Sequence, residues 1–149
     1  MLHLSSLRKS YGTLEVLRGL DLDVGAGQIM GLVGSNGAGK STAIAIACGL
    51  LTADAGEVFV GAGAARVDVR NHRAKAAGLI GLAPQELGVY PMLSVKDNLV
   101  ALGELAGLRG RGLRNAVGEV LDRMGLTAQL AQRADTLSGG QARRLHTGM

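Results

Sequence analysis

Residues Gly34, Ser35, Asn36, Gly37, Ala38, Gly39, Lys40, Ser41 and Thr42 form a glycine, four residues and then Gly-Lys-Ser, the spacing of a phosphate loop. The residue types suit an anion. Gly34, Gly37 and Gly39 let the backbone curl with its N–H groups facing inward. A helix starting after them would aim the positive end of its dipole at the same point. Lys40 can bring a point charge to β- and γ-phosphates, and Ser41 can offer a hydroxyl to Mg²⁺. The bland alternative, a glycine-rich turn capping a helix, is disfavoured because the whole pattern is in place.

A second stretch, Leu137-Ser138-Gly139-Gly140-Gln141, has the same physics in weaker form. Ser138 and the N–H groups of Gly139 and Gly140 precede a helical segment, Ala142 to Met149, whose dipole points back at them. A Ser-Gly-Gly turn by itself is weak evidence of a site.

Both loops need elements to hold them. Gln28 to Val33 is short and apolar, which predicts a buried strand entering the phosphate loop, and Thr42 to Leu51 predicts the helix leaving it. Upstream, Leu2, Leu4 and Leu7 suggest a first strand, with a turn at Tyr11-Gly12. Leu20, Leu22 and Val24 alternate with Gly19, Asp21 and Asp23 as a strand with one wet face. Glu57 to Val60 reads as a further strand, and residues 71–76 as a short helix. Leu79 to Ala83 is a second buried-strand candidate, stopped by Pro84. Ser94-Val95-Lys96-Asp97 predicts a helix start, after which Leu99, Leu102 and Leu105 would line one face. Gly107 to Gly112 reads as a loop, and Leu113, Val117, Val120, Leu121 and Met124 recur at helical spacing.

Composition narrows the class. The 149 residues suit one domain, and with 47% hydrophobic but only 2% aromatic residues the core must be aliphatic. No apolar run approaches the ~20 residues of a membrane span. Met1-Leu2-His3-Leu4-Ser5 lacks the charged-then-apolar order of a signal peptide, so a cytoplasmic location is expected. Cys48 is the only cysteine; it excludes an intrachain disulfide or a cysteine cluster and is expected to be a small buried thiol. The net charge of +4 is spread along the chain, too diffuse for a nucleic-acid footprint.

Taken with the upstream phosphate loop, Leu137 to Gln141 resembles, residue for residue, the signature motif of ABC-family ATPases. Within the family, residues 126–149 look most like bacterial ABC-2 type and daunorubicin-resistance exporters. The resemblance implies an α/β P-loop NTPase fold of the ABC nucleotide-binding type: a RecA-like core, an antiparallel β subdomain and an α-helical subdomain. It divides residues 1–149 into β subdomain and P-loop part (1–83), Q-loop and helical subdomain (84–137) and the start of the signature helix (138–149). Tyr11 resembles the A-loop aromatic that stacks on adenine; a turn tyrosine at the domain edge stays open beside it. Gln85 resembles the Q-loop glutamine that reaches Mg²⁺ and the attacking water. Tyr90-Pro91 and the helix after them fall where the family faces its membrane partner, or form a surface turn.

The implied cofactors are ATP and Mg²⁺, and the implied partners are a second nucleotide-binding domain and a transmembrane permease, without nucleic acid. Lys40 and Gln85 would serve catalysis, Ser41 and Gln85 the metal. Ser138, Gly139, Gly140 and Gln141 would cap the nucleotide of a second subunit. The family's Walker B strand, ending in Asp-Glu, has no counterpart, because no Asp-Glu pair occurs in the chain. His3, His72 and His146 are all misplaced for the family's switch histidine. A nucleotide-binding domain truncated after the signature motif is therefore expected, marginally stable when made alone, binding nucleotide weakly and turning over little. A soluble, non-transport ABC ATPase and a non-functional fragment of a broken gene stay open as alternatives.

Overall fold

The computed structural model describes the backbone of residues 1–149 and every side chain except that of Ala64. The chain divides into two compact units, Met1–Leu82 and Ala83–Met149.

The first unit is built on a four-stranded antiparallel sheet of order β2-β1-β3-β4, formed by β1 (Leu2–Tyr11), β2 (Leu14–Val24), β3 (Ala55–Val60) and β4 (Val67–Asp68). The alternating leucines of the amino-terminal segments do what the pattern predicts. Leu4, Leu7 and Leu17 bury one face of the sheet together with Val58 and Val60. Helix α1 (Lys40–Ala47) lays Ala43, Ile46 and Ala47 on that face. The short α2 (Arg73–Ala77) adds Ala76 to the same core. Cys48 is half-buried, and desolvation pushes its thiol up.

Two expected strands are not strands here. Neither Gln28 to Val33 nor Leu79 to Ala83 pairs with any described segment, and Ile29 and Val33 are 97% and 94% exposed. A parallel strand exists only through the ladder bonds of its neighbours.

The second unit is helical: α3 (Val95–Leu105), α4 (Gly110–Met124) and α5 (Gly139–Gly148). Their core is Val95, Leu99, Leu113, Val117, Leu121, Leu126 and Leu145. On α3 the buried stripe is Val95, Asn98 and Leu99, at i, i+3 and i+4, whereas Leu105 turns outward. The buried face thus includes a polar residue and excludes a leucine, contrary to the expected Leu99–Leu102–Leu105 line. Ser94 caps α3: its Oγ accepts the Asp97 N–H at 3.0 Å and donates to Asp97 Oδ2 at 2.6 Å. Helix α4 begins inside the glycine-rich stretch expected to be a loop, because the Leu113–Val117–Leu121 face pulls the preceding turn into the helix.

Candidate functional site

The phosphate-loop residues lie at the edge of the first unit, where the chain crosses from irregular backbone into α1. Gly34 to Ala38 are exposed and Gly39 is buried. Gly39 is the N-cap of α1, at φ +86°, with no side-chain cap. The first-turn N–H groups of α1 have no intrahelical acceptors. The position is also crowded. A Cβ built on Gly39 would lie 2.8 Å from Leu17 Cδ2 and 3.0 Å from the Val16 carbonyl oxygen. Strand β2 therefore fixes where the loop ends and the helix begins.

Lys40 folds back across the loop. Its Nζ donates to the carbonyl oxygens of Gly34 and Ser35, each at 2.7 Å. The Ala38 N–H closes the turn on the Ser35 oxygen at 3.2 Å. Two carbonyls thus hold one ammonium at the start of α1. Ser41 is exposed on the first turn of α1, and Thr42 is half-buried beside it. The arrangement offers N–H donors, a cation and a hydroxyl at one helix start, a combination that suits an anion.

Tyr11 closes the β1–β2 hairpin opposite Leu14 and is half-exposed. Val16 and Leu17, which touch the Gly39 position, follow Leu14 on the same strand, so about 7–10 Å of strand separates the two features. Lys9 Nζ stands 5.7 Å from the Tyr11 ring centroid and donates to Asp54 Oδ1 at 2.6 Å. That bond, followed by the Ser10 N–H on Asp54 Oδ2 at 2.7 Å, holds the Asp54 carboxyl below the usual carboxylate range. Asp54 had no place in the sequence reading.

In the second unit Ser138 and Gln141 engage each other. Ser138 Oγ accepts the Gln141 N–H at 3.3 Å, and Gln141 Oε1 accepts the Ser138 N–H at 2.9 Å. This capping box starts α5 one residue after Ser138, so Gly139 and Gly140 supply the first-turn N–H groups. Gln85 lies in the irregular segment before Gly88, with its backbone oxygen accepting from Arg143 Nη2 at 2.8 Å.

A model of the ABC transporter family matches residues 17–147, most of the chain and both loops. The chain belongs to the ABC transporter family. Among ABC relatives, it is 36% identical over 148 residues to the linearmycin resistance ATP-binding protein LnrL of Bacillus subtilis, covering 99% of this chain and 46% of that protein. It is 38% identical over 152 residues to the ribose import ATP-binding protein RbsA 2 of Burkholderia cenocepacia, covering 99% of this chain and 30% of that one. The chain thus spans less than half the length of these two relatives. The ABC fold is also that of cbiO1 from Clostridium perfringens, part of the complex cbiONQ, at TM-score 0.85 and 23% identity, over 99% of this chain and 59% of the other. The drug-resistance resemblance read from residues 126–149 has its counterpart in LnrL.

Three residues do structural work near these motifs that the sequence did not show. Asn98 is wholly buried: its Oδ1 accepts the Tyr90 N–H at 2.7 Å, and its Nδ2 donates to the Tyr90 and Ser94 oxygens at 3.0 and 2.9 Å. Arg143 and His146 hold the segment around Gln85, as described below. For Asn98 the available signal was its i+4 spacing from Ser94 on an otherwise apolar stripe.

Proposed function

We propose that this chain carries the nucleotide-binding half-sites of an ATPase subunit that powers an ABC exporter. In this reading the N–H groups of residues 34–42 and the Lys40 ammonium hold the β- and γ-phosphates, and Tyr11 stacks on the base. Ser138 to Gln141 face the γ-phosphate of a second copy, so that two sites close at a head-to-tail homodimer. Closure would act on a transmembrane permease from the cytoplasmic face of the membrane. Within the described residues no helix is long and apolar enough to cross a membrane. Export is favoured over import by the resistance-protein likeness, and no nucleic acid enters the reading.

The donor set suits Mg²⁺. Among the described residues no group of three His, Cys, Asp or Glu side chains could hold a metal. In phosphate sites Mg²⁺ takes a few hard oxygen ligands beside the phosphate oxygens; the exposed Ser41 hydroxyl at the start of α1 is a donor of that kind, and the family resemblance gives Gln85 the same ion. When bound, the ion neutralises charge on the phosphates. Lys40 would stabilise the same charge, and Gln85 would orient the attacking water. The carboxylate that would accept that water's proton in the family has no counterpart here, so nucleotide binding without appreciable turnover is expected.

The observation that carries the reading is the pair of carbonyls holding Lys40 beside the open N–H groups of α1. Titrating a fluorescent ATP analogue into this chain and into Lys40→Ala tests it. Binding that needs Lys40, with phosphate release at background, is the expected result. Equal affinity in both chains would remove the phosphate assignment, and release at the rate of an intact relative would remove the prediction of low turnover.

A further inference from the structure

The signature helix also grips the chain segment that carries Gln85. Arg143 and His146 stand one turn apart on α5 and face residues 84–88. Arg143 Nη1 donates to the Pro84 oxygen at 3.1 Å, and Nη2 to the Gln85 oxygen at 2.8 Å. The His146 ring, only 8% exposed, lies between the Pro84 oxygen and the Gly88 N–H, at 3.1 and 3.0 Å. A carbonyl can only accept and a backbone N–H can only donate, so the proton sits on Nε2 and Nδ1 accepts. Every one of these bonds ends on backbone, and none takes up the side-chain amide of Gln85. The loop is thus anchored at both ends while its glutamine side chain is left available.

We propose that Arg143 and His146 are positioning residues that fix the 84–88 backbone to α5, so that Gln85 and Ser138–Gln141 are presented by one rigid body. The proposal rests on the reading of Gln85 as a ligand of Mg²⁺ and water. Neither residue touches nucleotide or metal. Their effect passes through the loop: a shift of α5 carries the Gln85 backbone with it, and loss of the bonds lets the loop move independently.

The test uses the ¹⁵N-labelled 149-residue chain with His146→Leu, His146→Gln and Arg143→Met, each checked for helix content by circular dichroism. Glutamine offers one acceptor and one donor, as the neutral imidazole does; leucine fills the space without either. In the wild type, the imidazole ¹⁵N shifts should report a bare Nδ1 and a protonated Nε2. Gly88 amide exchange should quicken roughly fivefold or more in His146→Leu and return towards wild type in His146→Gln. Mg²⁺ should strengthen ATP-analogue binding less in His146→Leu and Arg143→Met than in wild type, while affinity without Mg²⁺ stays unchanged.

Gly88 exchange unmoved by His146→Leu in a folded chain, or the opposite tautomer in the wild type, overturns the proposal. So does a Mg²⁺ effect that is equal in all four chains. Should His146→Leu fail to fold, Arg143→Met and the wild-type tautomer still decide. A wild type that binds no nucleotide would defeat the proposed function instead, and the exchange and tautomer measurements would decide the anchoring separately.

Discussion

Gly39 and Gly37 offer a paired perturbation that separates backbone strain from crowding. Both have positive φ, +86° and +81°. Substituting alanine at either costs about 1–2 kcal/mol for the left-handed conformation. The lower chain entropy of the unfolded alanine variant returns about 0.4–1 kcal/mol, equally at both sites. The surroundings differ. A Cβ at Gly37 meets nothing within 4 Å, whereas at Gly39 it meets Leu17 Cδ2 at 2.8 Å and the Val16 oxygen at 3.0 Å. The leucine methyl can swing aside, but the backbone oxygen of β2 moves only with the strand. Overpacking of that kind adds about 1–3 kcal/mol. Urea unfolding followed by circular dichroism should therefore place Gly39→Ala below Gly37→Ala by that margin. Equal stabilities would show that β2 does not set the loop's position, and the account of why α1 begins where it does would fall.

Three further outcomes follow from other contacts. Asp54→Asn should lower the melting temperature at neutral pH. Because the folded carboxyl titrates low, its stabilisation is present above the ordinary carboxylate range and lost as pH falls through the lowered value. The gap between wild type and variant should then close in acid; a gap that is constant with pH would contradict the Lys9 and Ser10 assignment. Val33→Lys should change unfolding free energy by no more than about 0.5 kcal/mol and slow aggregation seen by light scattering. A loss above about 1.5 kcal/mol would mean the side chain is packed. Asn98→Leu should cost about 1–3 kcal/mol and open the 90–94 turn to limited proteolysis, since the Tyr90 backbone groups lose their partner; unchanged cleavage would count against that role.

What could be read ahead of the structure was local. The phosphate-loop motif is visible because Gly34 to Ser41 combine residue type with fixed spacing, and the β1 and β2 strands because Leu4, Leu20 and Leu22 alternate with polar residues. The Ser94 and Ser138 helix starts follow from short-range hydrogen bonding. Relations between distant residues could not be read. Gln28 to Val33 has a strand's composition, but pairing depends on a neighbour, and hydropathy carries no information about whether one is there. Arg143 and His146 reach residues 58 to 62 positions away. In the linear chain, Arg143 is one cation among sixteen. Even at Gly39, the motif announces the glycine and hides the strand oxygen that makes it necessary.

The carbonyls of Gly34 and Ser35 also change the entropy of ligand capture. A free lysine side chain loses about 2 kcal/mol of rotamer freedom when it is immobilised. Here that loss falls in folding, before any anion arrives, because two of the three ammonium hydrogens are already committed to the loop. The third is left unassigned, aimed by the other two. Under the proposed reading, a phosphate entering the loop would meet a cation whose direction is set in advance, so more of the contact energy would appear as affinity. Arginine at this position would keep the charge and lose the aim, since a planar fork cannot divide its donors between two carbonyls and an anion in the same way.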